Sequence, residues 1–241
     1  MSESKKMILD NQRHISTANE LIKGKQGKMS LQLARLIRIA ISQVSRADTE
    51  LLEYTCKLID ISDFLQIPKN NLYRDIDKIT DEGLRSVITI RQPDMSYKKF
   101  QWLSLCRYNN NNGTLTIRLH NELKPYITQL ENYFTQYQLE NILQLNSYYA
   151  IRLYELIRCD DGITRNSKSY INYSIDFLRD YFGCEKKYKR IVDFKKKVID
   201  VAVREINNKS DYLLYPSYKK EGRSIKEITF EIHTNYKKKE E

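Results

Sequence analysis

One order of periodic segments occurs twice along these 241 residues, and that repetition constrains the fold more than any other feature. In the first half, Leu33, Leu36, Ile37, Ala40, Ile41 and Val44 share one side of a helix over residues 29–45, with Ser30 placed to cap it. A short helix at residues 62–66, a break at Pro68 and a second helix over residues 69–82 follow. Leu72, Ile76 and Ile79 face inward on that helix, and Gly83 is expected to end it. Residues 86–91, 97–108 and 114–120 read as strands, separated by turns at Pro93-Asp94 and at the tract from Asn109 to Gly113. The second half repeats the pattern. A helix over residues 147–158 precedes a short helix that starts near Ser174 and ends at Gly183. A long helix then runs from about Tyr188 to Asn208, and strands at residues 212–217 and 225–233 close the set. Even the short helices agree, Asp63-Phe64-Leu65 against Asp176-Phe177-Leu178.

Helix, short helix, turn, helix and β-hairpin is the order of a winged helix-turn-helix. Two copies make a helix-rich α+β chain of two tandem winged-helix domains. With only 7 Gly and 4 Pro, well below the roughly 12% average share, long regular elements are favoured. The expected division is a flexible arm at residues 1–18, a first module at 19–140, a second at 141–236 and a charged tail at 237–241. Lys237-Lys238-Lys239 in that tail reads as solvated.

The net charge of +10 and a pI near 9.2 suit a polyanionic partner, nucleic acid before an anionic membrane surface. The distribution of charge says more than the total. The second helix of a helix-turn-helix normally enters the major groove. In the first copy that helix sets Lys69, Arg74 and Lys78 against Asp75, Asp77, Asp81 and Glu82, a balance that phosphate would repel. In the second copy Lys186, Lys187, Lys189, Arg190, Lys195, Lys196 and Lys197 stand against Asp193 alone. The first module is therefore expected to make protein contacts and the second to bind DNA.

At about 100° per residue, Ile191, Phe194, Val198, Val201, Ala202 and Ile206 form a packing face. Lys189, Asp193, Lys196, Lys197, Asp200 and Arg204 lie opposite, with Arg190 at the edge. Lys and Arg can contact phosphate or guanine O6 and N7, and Asp193 can accept from cytosine N4. Lys195 falls on the packing side, from which its stem would carry the ammonium out to a phosphate. The hairpin tip, Lys219, Lys220, Glu221, Gly222 and Arg223, is basic where a wing meets the backbone. The competing reading is a merely solvated cationic face. Tyr148, Ile151 and Tyr154 read as packing groups between helices, and Arg152 with Glu155 as a structural ion pair.

Other chemistries find little support. No apolar run approaches the roughly 20 residues that span a bilayer, and the N-terminus lacks the apolar stretch of a signal peptide, so a cytoplasmic protein is expected. Cys56, Cys106, Cys159 and Cys184 are too scattered for a disulfide framework or a zinc site. His14, His120 and His233 are isolated, so the metal site of a nicking enzyme is missing, and Gly27-Lys28-Met29 does not complete a phosphate-binding loop. Asp160-Asp161 beside Gly162 reads as a surface turn. The expectation is a binding protein without catalysis, metal or cofactor.

The stretch Ser147-Tyr148-Tyr149-Ala150-Ile151-Arg152-Leu153-Tyr154-Glu155-Leu156 resembles a signature of the Rep_3 family of plasmid replication initiators. Tyr188, Asp193-Phe194-Lys195-Lys196-Lys197 and Glu205-Ile206-Asn207 are similar to that family's recognition-helix block. Leu123-Lys124-Pro125-Tyr126-Ile127 and Phe134-Thr135-Gln136-Tyr137 match two upstream blocks, so the resemblance covers about residues 20–235 in order. It implies a bacterial, plasmid-associated protein that binds directly repeated origin sequences (iterons) as a monomer. It further implies origin opening with the host initiator, loading of the host helicase, and a dimer, formed through the first module, that represses its own gene. Carried over by motif, the base-reading positions are Arg190, Asp193, Lys196 and Lys197. Lys stands where some members carry Arg after Asp-Phe, and it makes no bidentate fork to guanine, so base preference there differs. Two other readings stay open: a transcriptional repressor with two winged helices, and an adaptor whose basic face meets acidic partners.

Overall fold

The computed structural model describes residues 4–161 and 168–235. The tail expected at 237–241 and the Gly162 turn lie outside them. The chain forms two compact units. The first comprises Met1–Gly24 and Met29–Leu143, the second Lys25–Lys28 and Gln144–Glu241.

In the first unit, β1 (Ser4–Lys6) and β2 (His14–Ala18) precede α1 (Asn19–Lys23) and α2 (Leu31–Gln43). β3 (Glu53–Lys57), α3 (Leu58–Phe64) and α4 (Lys69–Arg85) follow. Then come β4 (Val87–Arg91), β5 (Tyr97–Gln101), β6 (Leu103–Asn109) and β7 (Thr114–Leu119). α5 (Lys124–Ile127), β8 (Phe134–Gln138) and α6 (Leu139–Leu143) complete it. Ser30 caps α2 by accepting from the Leu33 N–H at 3.2 Å, as its position in the sequence predicts. α2 is buried almost all round, Arg35 and Arg38 included, because α4, α6, β2 and β7 all pack against it. Arg35 donates to the Leu143 carbonyl at 2.8 Å and Arg38 lies over the Trp102 ring, so neither charge is buried bare.

Several expectations need correction. Residues 4–18 are not a flexible arm: β1 pairs in parallel with β3, and β2 pairs antiparallel with β8. These strands are short and polar in alternation, with Ile15 and Thr17 buried, so their stability comes from partners distant in sequence rather than from propensity. The strand expected over 97–108 breaks at the buried Trp102. β5 pairs with β4 as the wing, while β6 joins the sheet ordered β1-β3-β7-β6. Gly83 sits inside α4, two residues before its end. A Cβ there would lie 2.6 Å from Leu103 Cδ1, so this glycine allows close approach of α4 and β6 instead of capping the helix.

The second unit holds α7 (Tyr148–Asp160), β9 (Ser169–Ser174) and α8 (Ile175–Tyr181), then a continuous helical rod. The rod consists of α9 (Ile191–Phe194), a π-helical turn (Lys195–Ile199) and α10 (Asp200–Lys209). β10 (Tyr212–Glu221) and β11 (Ser224–Thr234) form the wing hairpin, and β9 completes a sheet ordered β10-β11-β9. Ser147 and Ser174 cap α7 and α8 through the N–H groups of Ala150 and Phe177, each at 3.1 Å. α7 is the central helix here. Its Tyr148, Ile151 and Tyr154 are core groups, and Arg152 meets Glu155 at 3.4 Å with both side chains buried.

Candidate nucleic-acid interface

The rod begins at Ile191, three residues later than expected, because the chain turns tightly before it. Gly183 adopts φ +64° where α8 stops, and a Cβ there would come within 3.1 Å of the Gly27 and Lys28 backbone. Tyr188 is also left-handed, at φ +51°. Arg179 holds this turn from inside. Its guanidinium donates to the carbonyls of Lys187 (3.1 Å) and Lys189 (3.3 Å) and lies 4.6 Å from the centroid of the Phe194 ring. Sequence reasoning passed over Arg179, since nothing in its spacing shows that the chain folds back to present two carbonyls to it.

Phe194, Val198, Ile199, Ala202, Val203 and Ile206 are buried. The expected packing face differed, with Ile191 and Val201 in place of Ile199 and Val203. Both of the former are half-exposed. The π turn is the cause: one wider turn rotates everything after it relative to a uniform 100° step. Lys196, Lys197, Asp200 and Arg204 remain on the exposed side, as does Val192. Every described residue of the expected set lies on the turn, the rod or the wing.

Within that set the geometry separates roles. Arg190, at the N-cap and 80% exposed, lays its guanidinium flat on the Asp193 carboxylate, Nε to Oδ2 at 2.7 Å and Nη2 to Oδ1 at 3.0 Å. This fork holds the Asp193 carboxyl below its ordinary range, with Lys197 and Lys196 adding to the effect. Lys197 Nζ stands 5.6 Å from the centroid of the Tyr188 ring, and Lys196 is exposed. Lys195 does not reach outward alone. Its ammonium lies over the Tyr218 ring at 4.1 Å, tying the π turn to β10. Lys186, Lys187 and Lys189 are exposed on the turn. Arg204 lies seven residues beyond Lys197, roughly 10 Å along the axis. The wing bends at a register shift between Lys219 and Lys220 and turns at Gly222, φ +60°. Lys219 is held by Glu227 at 3.1 Å, whereas Lys220, Arg223 and Lys226 are exposed.

The corresponding helix of the first unit, α4, spends much of its acidity on itself. Asp75 takes a fork from Arg74, Asp81 pairs with Arg85 at 2.8 Å, and Glu82 accepts from the Ser30 backbone and hydroxyl at 2.8 and 2.5 Å. Among the described residues no cluster of three or more His, Cys, Asp or Glu is arranged to hold a metal ion. No described helix is long and apolar enough to cross a membrane.

Comparison with known proteins agrees with this architecture. Residues 14–158 match the family model described as initiator replication protein, WH1, and residues 174–232 match that described as initiator Rep protein, WH2. The chain is 30% identical over 146 residues to a PI protein of Escherichia coli, covering 55% of this chain and 47% of that one. It is 24% identical over 169 residues to a replication initiation protein of Escherichia coli, covering 70% and 52%. The chain thus spans about half the length of these curated relatives. Among solved structures it resembles the Pi initiator protein in complex with iteron DNA, with a TM-score of 0.78 at 22% identity over 94% of this chain and 99% of that one.

Proposed function

This chain belongs to the Rep3 family of initiator replication proteins, and on that footing we propose that it initiates plasmid replication by binding directly repeated origin sequences through its second module. The observation that carries the reading is the exposed front of the rod. Arg190, Lys196 and Lys197 project from the end that enters the major groove in a helix-turn-helix, on a helix whose back is pinned by fully buried Phe194 and Val198. A related protein of the same fold is known in complex with iteron DNA.

Arg190, already flattened on Asp193, presents a guanidinium plane suited to guanine O6 and N7. Asp193 braces that arginine, a role the fork favours over accepting from cytosine. Lys196 and Lys197 contact base edges or the flanking phosphates. Lys186, Lys187, Lys189, Arg204, Lys219, Lys220 and Arg223 meet phosphate and fix register. Lys195 braces the wing through Tyr218. The protein acts by binding, with no chemical step and no cofactor, in the bacterial cytoplasm. Contacts with a second copy, with the host initiator and with the helicase are assigned to the first module on family resemblance, as is repression of its own gene by the dimer.

Fluorescence anisotropy on duplexes carrying the repeats beside the gene, against a scrambled duplex and across a salt series, tests the reading. A preference of about a thousandfold or more that survives moderate salt supports it. Equal binding that collapses on both duplexes as salt rises would reduce the interaction to counterion release. A preference for a lone inverted repeat over direct repeats would favour a repressor without an initiation role.

A further inference from the structure

The exposed side of the rod is charged at every position of its first three turns except one. Val192 is 67% exposed, the most exposed large apolar side chain among the described residues of the second unit. It lies one helical turn before Lys196 and between Arg190 and Asp193, in the first turn of the rod. That first turn is the part of a helix-turn-helix that comes closest to base edges. No core contact accounts for Val192, since Phe194 and Val198 supply the packing. A β-branched side chain in a helix is held in one χ1 rotamer, so its two methyl groups are presented with little entropy left to lose. The one apolar feature of the major-groove edge is the 5-methyl group of thymine.

We propose that Val192 is a specificity-determining residue that reads a thymine by methyl contact, beside the base pair addressed by Arg190. The inference rests on the proposed DNA binding by the second module and adds to it a base and a residue outside the charged set. Val192 contributes no hydrogen bond. It selects thymine over cytosine by covering the methyl group, and by offering no acceptor to the cytosine N4 amino group.

The test uses the full-length protein and the duplex it enriches from a random pool. Each thymine in that duplex is replaced in turn by deoxyuridine, which removes only the methyl group. One replacement is expected to weaken wild-type binding about fourfold, the value of burying one methyl-sized group. Val192→Ala is expected to lose a similar factor on the intact duplex and to be indifferent to deoxyuridine at that same thymine. Val192→Thr, nearly isosteric, keeps the fold and so separates an effect on base reading from an effect on folding. Wild-type indifference to every replacement would overturn the proposal, and so would an undiminished loss in Val192→Ala at the sensitive thymine. Failure of the underlying DNA-binding function looks different: no sequence is enriched, and the assignment of Val192 falls with it.

Discussion

Arg190 and Asp193 form an exposed ion pair that adds little to folding stability, because solvent screens it and two side chains must be ordered to make it. Its worth lies in orientation. Asp193→Ala is therefore predicted to leave the urea midpoint unchanged while weakening binding to the preferred duplex by about 1–3 kcal/mol. Binding to a scrambled duplex should hold or rise slightly, since an acidic group is removed. Equal losses on both duplexes would show that the pair only shapes the helix end. Burial has a different consequence at Cys56 and Cys106, whose thiols are pushed up to about 12 from an ordinary 9.0. A thiol raised in the folded state contributes stability that is complete below pH 9 and lost as pH rises from 9 towards 12. Both cysteines are predicted to resist iodoacetamide in the native protein at pH 8 and to react after unfolding, readable by mass spectrometry.

Two elements, the rod and the wing, divide the proposed work between reading and gripping. Phe194 anchors the rod, fully buried against Phe182 and under the Arg179 guanidinium. Phe194→Ala is predicted to cost about 3–5 kcal/mol of stability and to release the Arg179 clamp on the preceding turn. Calorimetry and hydrogen exchange at Lys187 and Lys189 would measure the two effects. The wing carries its cations at a tip bent by the shift at Lys219 and Lys220. Replacing Lys219, Lys220 and Arg223 with Ala is predicted to weaken preferred and scrambled duplexes alike, lowering the log–log salt slope by about 0.9 for each phosphate no longer neutralised. A loss confined to the preferred duplex would instead make the wing a reader of bases. Sequence periodicity found both elements, because the apolar spacing of a helix and the alternation of a hairpin are local signals. It misplaced the rod's inner face after Lys195, since a π turn inserts its phase shift without any change in residue type.

In the whole molecule the second unit is completed by four residues from early in the chain. Lys25 pairs with Asp180 and Glu185, and Tyr148 donates its hydroxyl to the Gly27 carbonyl at 2.5 Å. A fragment beginning at Gln144 lacks these partners. Leaving the Tyr148 hydroxyl without its acceptor costs about 1–3 kcal/mol, which for a unit of this size lowers Tm by several degrees. Circular dichroism of that fragment, with and without a peptide spanning residues 25–28, would detect the difference; identical melting would show the segment to be dispensable. By itself the sequence determined the doubled order of elements, the serine caps at Ser30, Ser147 and Ser174, and the cationic front of the last long helix. Each of those depends on neighbours within a few residues. Tertiary structure alone decided that residues 4–18 pair as strands, that Gly83 serves packing, that Arg179 clamps the turn, and that Lys25–Lys28 completes the second unit. In every one of those cases the deciding partner is remote along the chain, and no local periodicity records a contact that only folding makes.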